Sequence, residues 1–456
     1  MRALLLLAAS LPALAAGFRA GAAQVRITPP VGAPLAGYYY NRAAEGTHDD
    51  LWAKAIVLEQ NGVTAAIIVC DLIGIPRHIV ESARAAIERA THIPAARVMI
   101  SATHAHTGPV LTAPESRYNL EGRMAEIARD YAVELPGLIA NAVRQAQASM
   151  REARVSTTTA HEDAVSFNRR FFLNDGTVGW NPGKLNPKIV RPAGPIDPAL
   201  AVVYLETLDA RPIAAYVNFA LHPDTVGGTF FSADYPYTLS TVLRAAKGPD
   251  MPVLFTNSTA GNINHIDVST KAPQKGDAEA ARIGAILAGD VLKAWPKLAP
   301  VDPGALAVRS EIVRLPLPAI APGEVEKARE TAAKFGKPNA APFLELVQAF
   351  KVLEVAAREG KPLEAEVQVI TLGDRIAWVG LPGEIFVELG AAIKGSSPFP
   401  QTIIAELANG SPGYIPTREA WPQGNYEVVS ARCARGSGEL LVDAAQRVLA
   451  EAFRAR

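Results

Sequence analysis

The chain has 456 residues, 49% hydrophobic and 20% charged, which is enough apolar material for a packed core and excludes a disordered chain. Lys+Arg and Asp+Glu both number 45, so the net charge is zero and no basic footprint exists for nucleic acid or an anionic membrane. Two cysteines, Cys70 and Cys433, exclude a disulfide framework and a cysteine-rich zinc site, so a metal centre must be built from His, carboxylate, Tyr or backbone.

Met1-Arg2, the apolar run 3–14 and the small-x-small pattern Ala13-Leu14-Ala15 form a signal peptide. Residues 1–16 are therefore expected to be removed on export to a periplasmic or secreted location. Length alone allows roughly three domains at about 150 residues each; the mature chain, 17–456, nevertheless reads as one catalytic domain. A strand is predicted at 23–28, then a hairpin of strands 51–59 and 63–70 across Asn61-Gly62. Helical spacing at 77–90 aligns Ile79, Val80, Ala83, Ala86 and Ile87. A strand at 98–102 and a long helix at 124–148 follow. Another hairpin joins 200–207 to 213–219 around Asp209, before a short buried strand at 253–256 and a helix at 278–294. The last third is predicted as strand 305–315, helices 325–334 and 343–358, strands 364–372 and 376–379 across Gly373-Asp374, and helix 438–453. The Pro-rich stretches 182–198 and 316–322 read as surface crossings. Hairpins interleaved with helices predict an α/β fold with mixed β-sheets flanked by helices.

The chemistry concentrates at turns just beyond predicted strands. His78, His92 and His161 have no partner pattern and read as locally satisfied imidazoles. In Thr103-His104-Ala105-His106-Thr107-Gly108-Pro109, residues i and i+2 of an extended chain point to one face, so His104 and His106 share a pocket. They serve there as two ligands, or as one ligand and one proton handler. His222, at the end of an apolar strand and followed by Pro223, supplies a further nitrogen. The loop Asn257-Ser258-Thr259-Ala260-Gly261-Asn262-Ile263-Asn264-His265 can bring amides and backbone N–H groups to a substrate. Glu384, in Leu381-Pro382-Gly383-Glu384, sits at a turn opening a helix, where a carboxylate is also favoured by the helix dipole. Tyr414 and Tyr426 lie in Gly/Pro loops, where plain packing is the commoner use of tyrosine.

Taken together these segments resemble the N-terminal catalytic region of neutral, non-lysosomal ceramidases, zinc amidases that split the N-acyl bond of ceramide. The resemblance starts at Ala22-Ala23-Gln24-Val25-Arg26-Ile27-Thr28-Pro29. It continues through Thr47-His48-Asp49-Asp50, Thr103 to Pro109, Phe167-Asn168-Arg169, His222 and Gly261-Asn262. It ends with Pro382-Gly383-Glu384, Gly413-Tyr414-Ile415-Pro416-Thr417 and Tyr426. It implies a neutral-ceramidase-like fold and Zn²⁺ held by His104, His222, Glu384 and Tyr414. It implies further that His106, Arg169 and Tyr426 contact the substrate or the developing oxyanion. Asn262, His265 and His48 fall on the substrate side of the site, and Asp71 lies near it. The sequence departs from the family in one segment: Asn264 stands where the family's Gly-Asp-x-Ser-Pro carries its serine. Asn264 can orient water or substrate but cannot form a covalent intermediate. No counterpart of the family's C-terminal immunoglobulin-like domain is expected. The implied activity is hydrolysis of an N-acyl lipid amide by zinc-activated water. Two rival readings are a zinc hydrolase of a non-lipid amide or ester, and a non-catalytic exported binding protein with a structural metal. The partner is a small-molecule or lipid amide, with peripheral membrane contact if it is a lipid, and no nucleic acid or obligate protein partner.

Overall fold

The computed structural model describes residues 17–111, 120–335, 337 and 341–455; the signal-peptide segment lies outside the described residues. In chain order the strands of the larger sheet are β1 (Arg19–Arg26), β2 (Trp52–Gln60), β3 (Val63–Cys70), β4 (Val98–Ala102), β5 (Arg151–His161), β6 (Ala199–Thr207), β7 (Pro212–Phe219) and β8 (Val253–Asn257). Their order in space is β8-β7-β6-β5-β1-β2-β3-β4, and Ala299–Val301 adds a short strand against β5. The smaller sheet runs β9 (Leu306–Leu315), β10 (Leu363–Leu372), β11 (Ile376–Gly380), β12 (Gln401–Ala405). Asn61 and Gly62, with φ of 49° and 76°, close the β2–β3 hairpin in the left-handed geometry that an Asn-Gly pair tolerates.

Strand alternation sorts the side chains into layers. Ile56, Leu58, Ile67, Val69, Tyr216 and Leu254 of the larger sheet meet Ile370, Leu372, Ile376, Trp378 and Ile403 of the smaller one. The residues between them face outward. On one half of the larger sheet, Ala55, Val57 and Ile68 pack on α1 (Arg77–Thr91) and α2 (Gly122–Ala148). On the other half, Val202, Val217 and Phe255 pack on α3 (Tyr235–Lys247) and α4 (Asp277–Ala294). An insertion between β9 and β10 forms α5 (Glu324–Ala332) and α6 (Phe343–Ala356), joined through Ala328, Ala349 and Val352. The outer face of the smaller sheet, with Val367, Val369 and Val379, is covered by α7 (Val387–Ser396) and, after the short α8 (Tyr426–Ser430), by α9 (Ser437–Arg454). The result is a four-layer α/β/β/α sandwich with mixed sheets, as the alternation of hairpins and helices implies.

Within the two main sheets three strand pairs are parallel: β3–β4, β7–β8 and β11–β12. Each is bridged by one crossover helix, α1, α3 and α7 respectively. Their carboxyl ends gather on one edge, which is where open α/β sheets hold ligands.

The sequence reading missed β5, α3, β12 and α8, whose first residue, Tyr426, it places in a loop; Glu384, read at a turn opening a helix, lies in the two-residue strand Glu384–Ile385 ahead of α7. The stretch 182–198, read as a surface crossing, contains the strand Ile189–Pro192, which pairs with Arg170–Leu173. Pro192 is tolerated there because the strand is the edge of a three-stranded sheet, where a missing N–H costs no ladder bond.

Candidate metal centre

Every central side chain of the site follows the end of one of these parallel strands. His104 comes two residues after β4, His222 three after β7, and Glu384 four after β11. Tyr414 lies beyond β12 and is delivered by a two-residue parallel ladder in which Glu384 is the register partner of Tyr414. Thirty positions apart in sequence, the carboxylate and the phenol become neighbours. Gly261 makes room for this: a Cβ there would lie 2.5 Å from the Glu384 carbonyl oxygen.

The donor atoms converge. His104 Nε2 lies 3.0 Å from His222 Nε2 and 3.2 Å from His106 Nε2. Glu384 Oε2 lies 3.3 Å from both His104 Nε2 and His222 Nε2. His104, His106 and His222 together form a metal-capable cluster. The tautomers are set from behind. His104 Nδ1 donates to the Ile73 carbonyl at 2.6 Å, and His222 Nδ1 to the Ala260 carbonyl at 2.9 Å. A carbonyl only accepts, so each Nδ1 carries the hydrogen and each Nε2 presents a lone pair. Two lone pairs facing each other at 3.0 Å repel unless a cation lies between them. Glu384 Oε2, also buried, has no hydrogen-bond partner among the described residues. Tetrahedral zinc with ligands at about 2.0–2.1 Å sets its donors roughly 3.3 Å apart. The donor set therefore fits zinc.

Electrostatics favour the ligand-competent forms. Burial lowers His222 to about 3, and burial lowers His106 to about 4 against the pull of Asp224. Burial acts against the Glu384 carboxylate, yet His104 and His222 hold it well below its usual range. Burial and Glu384 push the Tyr414 phenol well above its usual range, and Arg169 opposes them.

A second set of residues holds the first. His106 Nδ1 lies 3.3 Å from Asp224 Oδ1, which also accepts the Tyr38 hydroxyl at 2.8 Å. Arg169 donates to Glu427 (2.9 Å), the Gly261 carbonyl (2.7 Å) and the Tyr414 hydroxyl (3.0 Å). Glu427 is fully buried and also pairs with Arg170 at 2.8 Å. Glu406, also fully buried, accepts the backbone N–H groups of Ala260 (3.1 Å) and Ile385 (3.0 Å). Tyr426 begins α8, capped by the Asn425 side chain, with its ring 5.4 Å from that of Tyr414. A small chamber is lined by His104, His106, Glu384, Tyr414 and Tyr426 among others.

Other residues singled out from the sequence lie elsewhere. Asn264 donates to Asn181 at 2.9 Å and accepts from the Ile266 N–H. Asn262 spans to Glu388 and the Val387 N–H and lines a separate cavity. His265 bonds the Gln274 carbonyl at 2.7 Å. His48 is half-exposed between Asp49 and Asp277. Asp71 accepts from the Trp52 N–H and pairs with Lys54 at 3.4 Å. None of these five lines the chamber. Sequence reasoning missed Asp224, Glu406 and Glu427. Only Glu406 carried a signal, a carboxylate inside the apolar run Ile403-Ile404-Ala405-Glu406-Leu407-Ala408.

No family model matches the sequence, and no curated protein does. Solved structures do. Neutral ceramidase from Pseudomonas aeruginosa aligns with a TM-score of 0.73 at 20% identity, over 95% of this chain and 75% of that one. The chain has the neutral-ceramidase fold. A ceramidase complexed with C2 aligns with a TM-score of 0.71, also at 20% identity, over 95% of this chain and 76% of that one. The residues that carry the sequence resemblance, His104, His222, Glu384 and Tyr414, are the ones this fold brings to one point.

Proposed function

We propose that the protein is an exported, zinc-dependent amidohydrolase that splits an N-acyl amide, with lipid amides as its substrate class. The observation that carries this reading is the convergence of the His104, His222 and Glu384 donor atoms within 3.3 Å, beside Tyr414. Zinc held by these four residues would lower the pKa of a water to about 7 and polarise the amide carbonyl. His106 faces the same chamber and is backed by Asp224, which suits it to pass the proton from water to the leaving nitrogen. Tyr426 lines the chamber, and in this reading its hydroxyl would donate to the oxygen that gains charge. Arg169 spends donors on Glu427, Gly261 and Tyr414, and in this reading it orients the phenol. Asn264 is not required as a nucleophile because water is the nucleophile. Support for the lipid amide comes from the ceramidase neighbours, and support for export from the leader pattern at 1–16.

The purified protein is expected to hold about one zinc per chain. His104→Ala and His222→Ala are each expected to lose the metal and all turnover of a fluorogenic N-acyl amide. A protein that binds no metal, or whose variants match the parent in turnover, overturns the reading.

A further inference from the structure

A cleft of about 550 Å³ adjoins the chamber and shares Ile73, His104, Glu384 and Arg432 with it. Its apolar walls include Ile73, which also lines the chamber, and Val110, Leu111 and Leu363. Its other ionisable side chains are Glu354, Arg358, Lys361 and Arg432, three cations against one carboxylate. Glu354 is spent, because it pairs directly with Arg432 across the cleft. Arg358 is held in place by its own backbone contacts: Nε donates to the Lys361 carbonyl at 3.0 Å and Nη2 to the Pro362 carbonyl at 2.8 Å. It has no carboxylate partner among the described residues. Among the described residues the Lys361 ammonium pairs only with Glu359, a loose, solvent-exposed contact at 3.8 Å. The cleft that shares His104 and Glu384 with the chamber thus combines apolar walls with the cations Arg358 and Lys361, on a chain whose overall charge is zero.

We infer that the amide split here carries a carboxylate on the limb that lies in this cleft, with Arg358 and Lys361 as the residues that select it. The inference rests on the hydrolase reading above and narrows its substrate to acidic amides. A pinned guanidinium offers a carboxylate charge-assisted hydrogen bonds without first leaving a partner. A neutral amide gains nothing from these cations, and an amine-bearing one is repelled. Hydrolysis adds one water across the C–N bond, its hydroxyl to the carbonyl carbon and its proton to the nitrogen. The products are a carboxylate and an amine, and no further co-reactant is needed. The carboxylate that is recognised can belong to the amine limb, as in an N-acyl amino acid, or to the acyl limb, as in a half-amide of a diacid.

The test compares matched pairs on the zinc-loaded full chain. N-dodecanoylglycine is set against its neutral amide N-dodecanoylglycinamide, and N-dodecylsuccinamic acid against N-dodecylsuccinamide. In at least one pair kcat/KM for the acid is expected to exceed that for the neutral partner by about tenfold, the worth of one charge-assisted hydrogen bond. The pair that shows the preference identifies the limb. The preference is expected to shrink as salt is raised, because the cleft is open to solvent. In Arg358→Gln the acid-to-neutral ratio is expected to fall most of the way to one, with Arg358→Lys retaining part of it. The exposed Lys361→Gln gives an independent, smaller drop. Metal-dependent turnover of both members of each pair at equal rates overturns this inference and leaves the hydrolase reading standing. No turnover of any of the four, with the fluorogenic N-acyl amide still split, overturns this inference alone; no turnover of that amide either overturns both.

Discussion

At the scale of single residues, the site depends on groups that never touch a substrate. Glu406 holds the two loops that present ligands: it accepts the N–H of Ala260, whose carbonyl orients His222, and the N–H of Ile385, next to Glu384. Glu406→Ala leaves two buried N–H groups unsatisfied, at about 1–3 kcal/mol each. Groups behind metal ligands typically tune affinity by about 10–100-fold. Glu406→Ala is therefore expected to lower thermal stability and to weaken zinc binding by that factor in a chelator competition. Glu406→Gln keeps an acceptor oxygen and is expected to retain most of both. Equal zinc affinity in all three proteins would contradict the role. Gly261→Ala probes the same loop from the other side. Its Cβ would press on the Glu384 carbonyl at 2.5 Å, so zinc binding is expected to weaken although no ligand is altered. The same competition experiment checks this.

At the scale of elements, the α5–α6 hairpin reaches the site through α6, where Phe343 meets the aromatic cluster around Tyr426 and Glu354 pairs with Arg432. Phe343, the first residue of α6, stacks on Tyr426 with centroids 5.5 Å apart and on Trp180 at 5.8 Å, and meets Tyr39 edge-on at 5.3 Å. Each such pair contributes about 0.5–1.5 kcal/mol beyond area burial. Phe343→Ala is expected to cost a total of about 1–3 kcal/mol in unfolding free energy. It is also expected to lower kcat, because Tyr426 loses one of the rings that pack it, beside Trp180 at 4.6 Å and Tyr414 at 5.4 Å; Phe343→Tyr should preserve both. Unchanged kcat in the alanine variant would show that Tyr426 is held by other contacts. Elements also explain what could be read from the sequence. Amphipathic α1, α4 and α9, and the hairpins at Asn61-Gly62 and Gly373-Asp374, declare themselves through period and turn chemistry. The strand β5 hides because Ser156, Thr157, Thr158 and Thr159 blur its apolar alternation, although Val155 and Thr157 face inward. The helix α3 hides because Pro236 and the Thr and Ser at 238, 240 and 241 weaken helical propensity, while Leu239 and Leu243 carry its burial. His104, His106 and His222 are legible because each ends a readable strand. Glu427 and Asp224 are not, because their roles come from long-range contacts with Arg169 and His106 that no local spacing encodes.

At the scale of the molecule, the four layers bring loops from both sheets to one edge, and a metal bound there ties the sheets together. In the proposed reading the larger sheet would supply His104 and His222 to the metal, and the smaller Glu384 and Tyr414. Binding to the native state alone adds about 2.7 kcal/mol at a hundredfold excess over Kd. Zinc is therefore expected to raise Tm. The pH range of that gain follows from the histidines. His106 and His222 have folded-state values near 4 and 3, below the roughly 6.5 of an unfolded chain. Between those limits the unfolded state binds more protons, so the contribution of these two residues to stability is full above about 6.5 and is lost as pH falls toward 4 and 3. In the folded protein the proton competes for the two nitrogens only at the lower end of that window. The zinc-dependent increment in Tm, measured as the difference between zinc-loaded and chelator-treated protein, isolates the site from other titrating groups. It is expected to persist from pH 8 down to about 5 and to vanish toward pH 4. Loss of the increment already at pH 6 would mean that these imidazoles titrate like solvent-exposed ones and would contradict the lowering attributed to their burial.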